Sequence, residues 1–241
     1  MALSARRSKT DVLGVRQRLL FLQPRRAVLG VTAVLAAVSV ACGAPPVPGV
    51  SSDFSINRAS DGHGLRWNPC AAIHWRLDSR IEPGAFTPVN TAINTLASAT
   101  GMTFVYDGAA SYSPQVKVWT QPSPLVVSFA RQSGSPLGFA SSYLSGAGQI
   151  GEGGWWASGS SQANIQIVKG YAVIDADVYN RSTTNVRAAT LLHELGHSVG
   201  LNHAAYNSEV MYGMLAAASP TFYSAGDLSG LRAVGRPAGC L

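Results

Sequence analysis

The stretch His193-Glu194-Leu195-Gly196-His197-Ser198-Val199-Gly200-Leu201-Asn202-His203 constrains the fold more than any other part of the chain. His193 and His197 are four residues apart, which on a helix offsets them by about 40° and projects both rings from one face. Two imidazoles so placed reach a single metal ion at about 2.0–2.1 Å. His203 cannot join them on a continuing helix, because its position six residues beyond His197 points it elsewhere. The chain must therefore turn, and Gly200 allows the positive φ that a turn here needs. The three histidines then form a tripod with a fourth position open, the layout of a catalytic zinc site and not of a closed structural one. Glu194 follows the first ligand and emerges beside the open position, where it is expected to act as general base towards a zinc-polarised water. The pair His193/His197 with Glu194 is by itself a common pattern; Gly200 and His203 at their set offsets make it specific. Of the five histidines, only His63 and His74 fall outside this stretch, and neither has a partner at ligand spacing. One catalytic Zn²⁺ is expected, and calcium is left open.

The pI of 9.5 suggests a polyanion partner until the charges are located. Arg6, Arg7, Lys9, Arg16, Arg18, Arg25 and Arg26 stand against Asp11 before residue 42, and the 11 basic residues that remain balance 11 acidic ones. The basicity belongs to the leader, so no nucleic-acid partner is expected. That cationic segment runs into an uncharged apolar stretch, Ala27 to Val40. A bilayer span takes about 20 residues, so this shorter run suits a signal-peptide core better than a membrane helix. Ser39-Val40-Ala41-Cys42 resembles a bacterial lipobox, with Ser39 where Leu is usual, and predicts lipidation of Cys42. Simple cleavage after Ala41 is the alternative. Arg25-Arg26-Ala27-Val28-Leu29 also suits twin-arginine export, although adjacent arginines occur in any cationic leader. Residues 1–41 are thus read as a signal peptide of lipoprotein type and 42–64, with Pro45, Pro46 and Pro48, as a flexible tether. Residues 65–241 are read as the folded domain. With Cys42 assigned to lipid, Cys70 and Cys240 remain as a candidate disulfide joining the ends of an exported domain.

Within the domain, Ala71–Asp78, Met102–Tyr106 and Leu125–Ala130 read as strands, and Pro136–Ala140 as a short edge strand. Val89 to Ala99 reads as a helix stopped at Gly101. Gly146 to Ser161 is Gly- and Ser-rich and reads as a loop, before a strand-like Asn164–Val178 broken at Gly170. Thr184 is a plausible N-cap for the histidine-bearing helix, and Ser224 with Asp227 a capping box for the last one. Strands first, with helices interleaved and late, predict an α+β domain around a mixed sheet.

The histidine stretch matches the metzincin signature HExxHxxGxxH followed by a Met-turn. With Val210-Met211-Tyr212 eight residues beyond His203, the chain resembles the matrixin branch of those zinc peptidases. The resemblance implies a mixed, mostly parallel twisted sheet with an active-site helix and a C-terminal helix, the latter starting near Asp227-Leu228-Ser229-Gly230-Leu231. It makes Met211 a packing floor beneath the zinc, not a ligand. Astacin- and serralysin-like relatives have a zinc-binding Tyr where this chain has Gly213. The resemblance also makes Leu137-Gly138-Phe139-Ala140 the edge strand, so Leu137 and Gly138 are expected to pair with the main chain of an extended substrate. Gly213-Met214-Leu215 replace the Pro-x-Tyr wall of matrixins. Arg131 to Pro136 holds no His, Asp or Glu, and Phe139 stands where matrix metalloproteinases have a ligand, so a second, structural zinc is not expected. No counterpart of a cysteine-switch prodomain is seen. The likeness covers about residues 66–236 and is specific from Leu191 to Leu231.

These readings converge on an exported zinc endopeptidase, a monomer held at the cell surface by a lipid anchor and acting on protein or peptide substrates. Two other classes compete. One is a catalytically weak, zinc-bearing surface lipoprotein that binds peptides, which Glu194 disfavours. The other is a purely structural metal site, which the open fourth position disfavours.

Overall fold

Alternation along the strands builds the sheet: in β2 (Ile73–Asp78), Ile73, Trp75 and Leu77 are buried while His74 is exposed. The computed structural model describes residues 11–21, 52–115, 121–146 and 148–241. After β1 (Asp11–Phe21) and β2 come α1 (Phe86–Thr100), β3 (Phe104–Ala109), β4 (Leu125–Ala130), β5 (Gln149–Gly159) and β6 (Gln166–Asp175). Helices α2 (Ala176–Arg181) and α3 (Thr184–Ser198), a two-residue strand β7 (Met214–Leu215) and α4 (Ala225–Val234) complete the order. The body of the sheet is five strands in the order β3-β2-β4-β6-β5, parallel except for β5. β1 and then β7 continue the sheet beyond β5. The α+β class and the mixed, mostly parallel sheet are as expected.

Helices α1 and α3 bury their apolar faces together with one side of this sheet. Val89, Ile93 and Leu96 of α1 and Val186, Ala189 and Leu195 of α3 belong to one core with Trp75, Phe129 and Trp155. Helix α1 stops where the sequence places its stop, at Gly101 in the left-handed region with φ 69°, whose N–H caps Ala97 O. The opposite side carries a smaller cluster, Ala130, Tyr143, Leu144, Trp156, Tyr171 and Val173, covered by the β4–β5 connection. None of the helices among the described residues is long and apolar enough to cross a membrane.

Five expectations change. Pro136–Ala140 is not a strand: it is a turn with φ 76° at Gly138 and 55° at Phe139, joined to β4 only by the bridge Arg131↔Ala140. The edge strand of the sheet body is instead β5, inside the stretch read as a loop. Its glycines answer to packing, not to turning, since a Cβ on Gly153 would lie 2.3 Å from Glu194 O. Gly170 likewise does not break β6; a Cβ there would meet Ser198 O at 2.9 Å, so it marks the close approach of α3. Finally, Asp53 to Gly64, read as part of the tether, is bound to the domain. Asn57 N and Nδ2 both donate to Gly200 O, at 3.0 and 3.1 Å, and Asn202 N donates to Ser55 O at 2.8 Å. The expected N-cap shifts by one residue: Thr183 Oγ1 accepts from Val186 N.

Cys70 and Cys240 are disulfide-bonded, with Cα atoms 5.4 Å apart across a sequence separation of 170. Closing so long a loop lowers unfolded-chain entropy by an amount worth about 5 kcal/mol in the chain-entropy model. Arg66 reinforces the closure by donating to Gly239 O at 2.6 Å and Ala238 O at 3.2 Å.

Candidate metal centre

Helix α3 presents His193 and His197 from one face, four residues apart, as its geometry requires. Gly200 then ends the helical course with φ 111°, and a Cβ at that position would lie 2.6 Å from Leu65 O. The turn brings His203 back, and the three rings pack with centroids 4.6, 4.9 and 5.2 Å apart. One nitrogen from each ring falls within a group no wider than 4.8 Å. It is the one cluster of His, Cys, Asp or Glu with ligand spacing found among the described residues.

Hydrogen bonding decides which nitrogens face inward. His193 Nδ1 lies 2.7 Å from Val210 O, and His197 Nδ1 2.9 Å from Leu201 O. A carbonyl only accepts, so each Nδ1 carries the hydrogen and each Nε2 is left with a free lone pair. Those two Nε2 atoms stand 2.9 Å apart, and His203 Nε2 is buried without a partner. Lone pairs aimed at one another repel unless a positive charge lies between them. A proton is disfavoured: burial first, then His203, pulls His193 down to about 3 from 6.5, and burial also lowers His197 and His203. Neutral imidazoles at this spacing, with Nδ1–H held by carbonyls, are the donor set of a zinc ion. The site residues fit zinc.

Beneath the rings lies Met211. A Cβ on Gly196 would come within 2.4 Å of Met211 Sδ, so the Met side chain rests on the helix between the two ligand histidines. Its backbone is held by Asp227 of α4, whose carboxylate accepts from Val210 N at 2.8 Å, Met211 N at 3.2 Å and Ser224 N at 3.0 Å. Burial and then Glu209 push Asp227 up to about 7, against the pull of those three amides. Asp227 therefore serves both as capping-box residue and as clamp on the carbonyl-bearing turn that orients His193. Sequence reading found only the first role; the second needs the fold.

Glu194, on the flank of the helix next to His193, lies against β5. Its carboxylate abuts Gly151, where a Cβ would lie 2.6 Å from Oε1. Neither oxygen has a hydrogen-bond partner of ordinary geometry. Burial, and secondarily Glu152, raise its proton affinity well above the usual carboxylate range, with Gly153 N–H opposing. Gly151, Gly153 and Glu152 were missed in the sequence. The available signal was a glycine-rich run flowing into Trp155-Trp156 without any Pro or Asn to turn it.

The remaining expected residues fall in different places. Leu137 and Gly138 are in the exposed turn after β4, with Leu137 68% exposed. Cys42 lies outside the described residues. His63 contacts Asp61 and Ile165 O, and His74 contacts Asp107, so both have partners away from the tripod. Gly213 stands beside His203: a Cβ there would approach the ring to 3.0 Å, which fits the absence of a Tyr ligand at that place.

Asp227→Ala should expose the dependence of the metal site on α4. Two buried N–H groups, of Val210 and Met211, lose their acceptor at about 1–3 kcal/mol each, and the part-buried one of Ser224 loses its own. Zinc affinity should fall about 10–100-fold, as for other partners of ligand histidines. Chelator competition and denaturant unfolding measure both, and unchanged zinc affinity would sever the proposed link. A second expectation concerns the chelated protein. His193 is neutral in the fold down to pH about 3 but protonates near 6.5 when unfolded, so acid favours the unfolded chain. Stability is intact above pH 6.5 and declines as pH falls towards 3. Melting temperatures across that window should fall more steeply than in His193→Gln, and parallel curves would refute the assignment.

Comparison with known proteins agrees with this geometry. No curated protein matches the chain. The family model described as Matrixin, of the M10 peptidases, matches residues 79–234, from the end of β2 to the end of α4. With most of its length matched and the three histidines gathered at ligand spacing, the chain belongs to the matrixin family of zinc metallopeptidases.

Proposed function

We propose that this protein is an exported endopeptidase in which Glu194 is the general base. The observation that carries the reading is the pairing of two environments on one helical turn. His193 and His197 are held neutral and converge with His203, and the residue after His193, Glu194, is a buried carboxylate with raised proton affinity. His193, His197 and His203 would hold the zinc, which would supply a Lewis acid able to polarise the peptide carbonyl and to make water a nucleophile near neutral pH. Glu194 takes the proton as water attacks the carbonyl carbon, and returns it to the leaving nitrogen as the C–N bond breaks. A carboxyl with raised affinity suits both transfers, because it holds the proton between them. Val210 O and Leu201 O keep the ligand rings in one tautomer throughout. One zinc per chain and a monomer complete the reading.

Glu194→Gln should keep zinc and fold while peptide hydrolysis falls by about 10²–10⁴-fold, the usual worth of a general base. Residual hydrolysis above a few per cent, with zinc stoichiometry unchanged, would remove Glu194 from that role. Anchoring is proposed at Cys42, through a lipid at the new N-terminus left when residues 1–41 are removed. Cys42→Ser should then move the protein from the membrane fraction to the soluble exported fraction. Unchanged membrane association would refute the anchor.

A further inference from the structure

Behind the metal centre a cavity of about 350 Å³ opens to solvent between α1 and α3. Its walls are one face of each helix: Pro88, Thr91 and Thr95 from α1, and Thr184, Ala188 and Leu191 from α3. Leu191 stands two residues before His193, about 200° around the helix, so the cavity lies on the side of α3 away from the ligand rings. Its floor is apolar and buried, made of Ala92, Leu191, Leu192 and the Tyr179 ring. The threonines of α1 add no free donors. Thr91 Oγ1 donates to Thr87 O and Thr95 Oγ1 to Thr91 O, both at 3.0 Å, so neither hydroxyl has a hydrogen left for a guest.

One group on the wall is charged: Arg187. Its Nε donates to Tyr179 O at 2.9 Å and Ser182 O at 3.1 Å, and its Nη2 to Asn180 O at 2.6 Å. The guanidinium carbon stands 5.4 Å from the centre of the Tyr179 ring. These contacts fix the side chain against the end of α2 without neutralising it, because carbonyls and a ring face carry no net charge. A guanidinium has five N–H groups, and these bonds take one on Nε and one on Nη2, so three remain. Among the described residues no carboxylate forms an ion pair with Arg187.

We propose that this cavity binds a single-chain alkyl carboxylate, with its tail on the floor of Leu191, Leu192 and Tyr179 and its carboxylate on the free N–H groups of Arg187. Charge complementarity selects that occupant. An apolar cavity with one immobilised, unpaired cation on its wall favours an apolar molecule with one anionic end. The lining spans residues 88 to 95 on α1 and 184 to 191 on α3. Seven residues of helix cover about 10 Å, the reach of an extended chain of about eight carbons. Binding costs little ordering at the arginine, because its rotamer is already held. The site is separate from the metal centre and does not depend on the peptidase reading.

The test uses the zinc-loaded full chain with octanoate as the probe, and saturating acetohydroxamate throughout to keep the probe's carboxylate off the metal. Titration should give one saturable site with a Kd of about 0.1–1 mM, in keeping with a ligand of about ten non-hydrogen atoms. 1-Octanol, which lacks the charge, should bind about tenfold more weakly. Arg187→Gln should reduce octanoate to the affinity of 1-octanol and leave 1-octanol itself unchanged, which also reports that the cavity is intact. A photoreactive diazirine analogue of octanoate should label the peptides that carry residues 86–95 and 184–192. No saturable binding, equal affinity for octanoate and 1-octanol, or labelling confined to other peptides overturns the proposal. Should Arg187→Gln fail to fold, Ala188→Trp replaces it. Ala188 is half-buried on the cavity wall and makes none of the α2 contacts, so the indole should fill the space and abolish labelling of both helices. Unchanged labelling in that variant overturns the proposal as well.

Discussion

Helix α3 approaches strands β5 and β6 more closely than side chains on those strands would permit. Gly151 and Gly153 on β5 and Gly170 on β6 each meet an atom of α3 within van der Waals range of a missing Cβ. Most of what matters in the structure follows from that approach. It brings the Glu194 carboxylate against the sheet and out of water, which raises its proton affinity. It leaves the adjacent face of the same helix to the ligand histidines. It also makes β5 a strand whose composition is set by the helix it touches and not by strand propensity.

Below the helix, support comes from the C-terminal end of the chain. Asp227 gathers the amides of Val210, Met211 and Ser224, and Val210 O in turn accepts from His193 Nδ1. Tyr223 OH donates to Leu192 O at 2.8 Å, adding a second tie between this region and α3. The metal ligands are therefore braced by a helix that begins more than twenty residues beyond the last of them. The Cys70–Cys240 bridge lies outside this brace and closes the domain end to end.

The tripod was legible because its information is local. Two histidines one turn apart and a glycine before the third determine their own geometry through helix periodicity and the steric freedom of Gly200. Helix α1 with its Gly101 stop and strand β4 were legible for similar reasons. Strand β5 was not, because glycine signals a turn in isolation and close packing in context, and only the partner helix separates the two. Pro136–Ala140 failed the opposite way: it read as a short edge strand, yet it is a turn with Leu137 and Phe139 exposed. The family likeness pointed to three histidines that the fold does bring together, and it carried the edge strand to the wrong residues.

The segment from Asp53 to Asn57 runs beside the turn that delivers His203. Asn57 takes up Gly200 O twice, Ile56 bridges Leu201, Ser55 O holds Asn202 N and Asp53 holds Ala205 N. Every residue of that stretch lies upstream of where hydrophobic patterning begins the domain. The third metal ligand is thus positioned by residues that look, in the sequence, like spacer. A chain cut at residue 65 would keep all three histidines and the whole sheet body, yet Gly200 O would lose both its donors and the turn would be free to swing. The functional N-terminal border of this peptidase domain therefore lies at or before Asp53, a dozen residues ahead of the point where apolar alternation would start it.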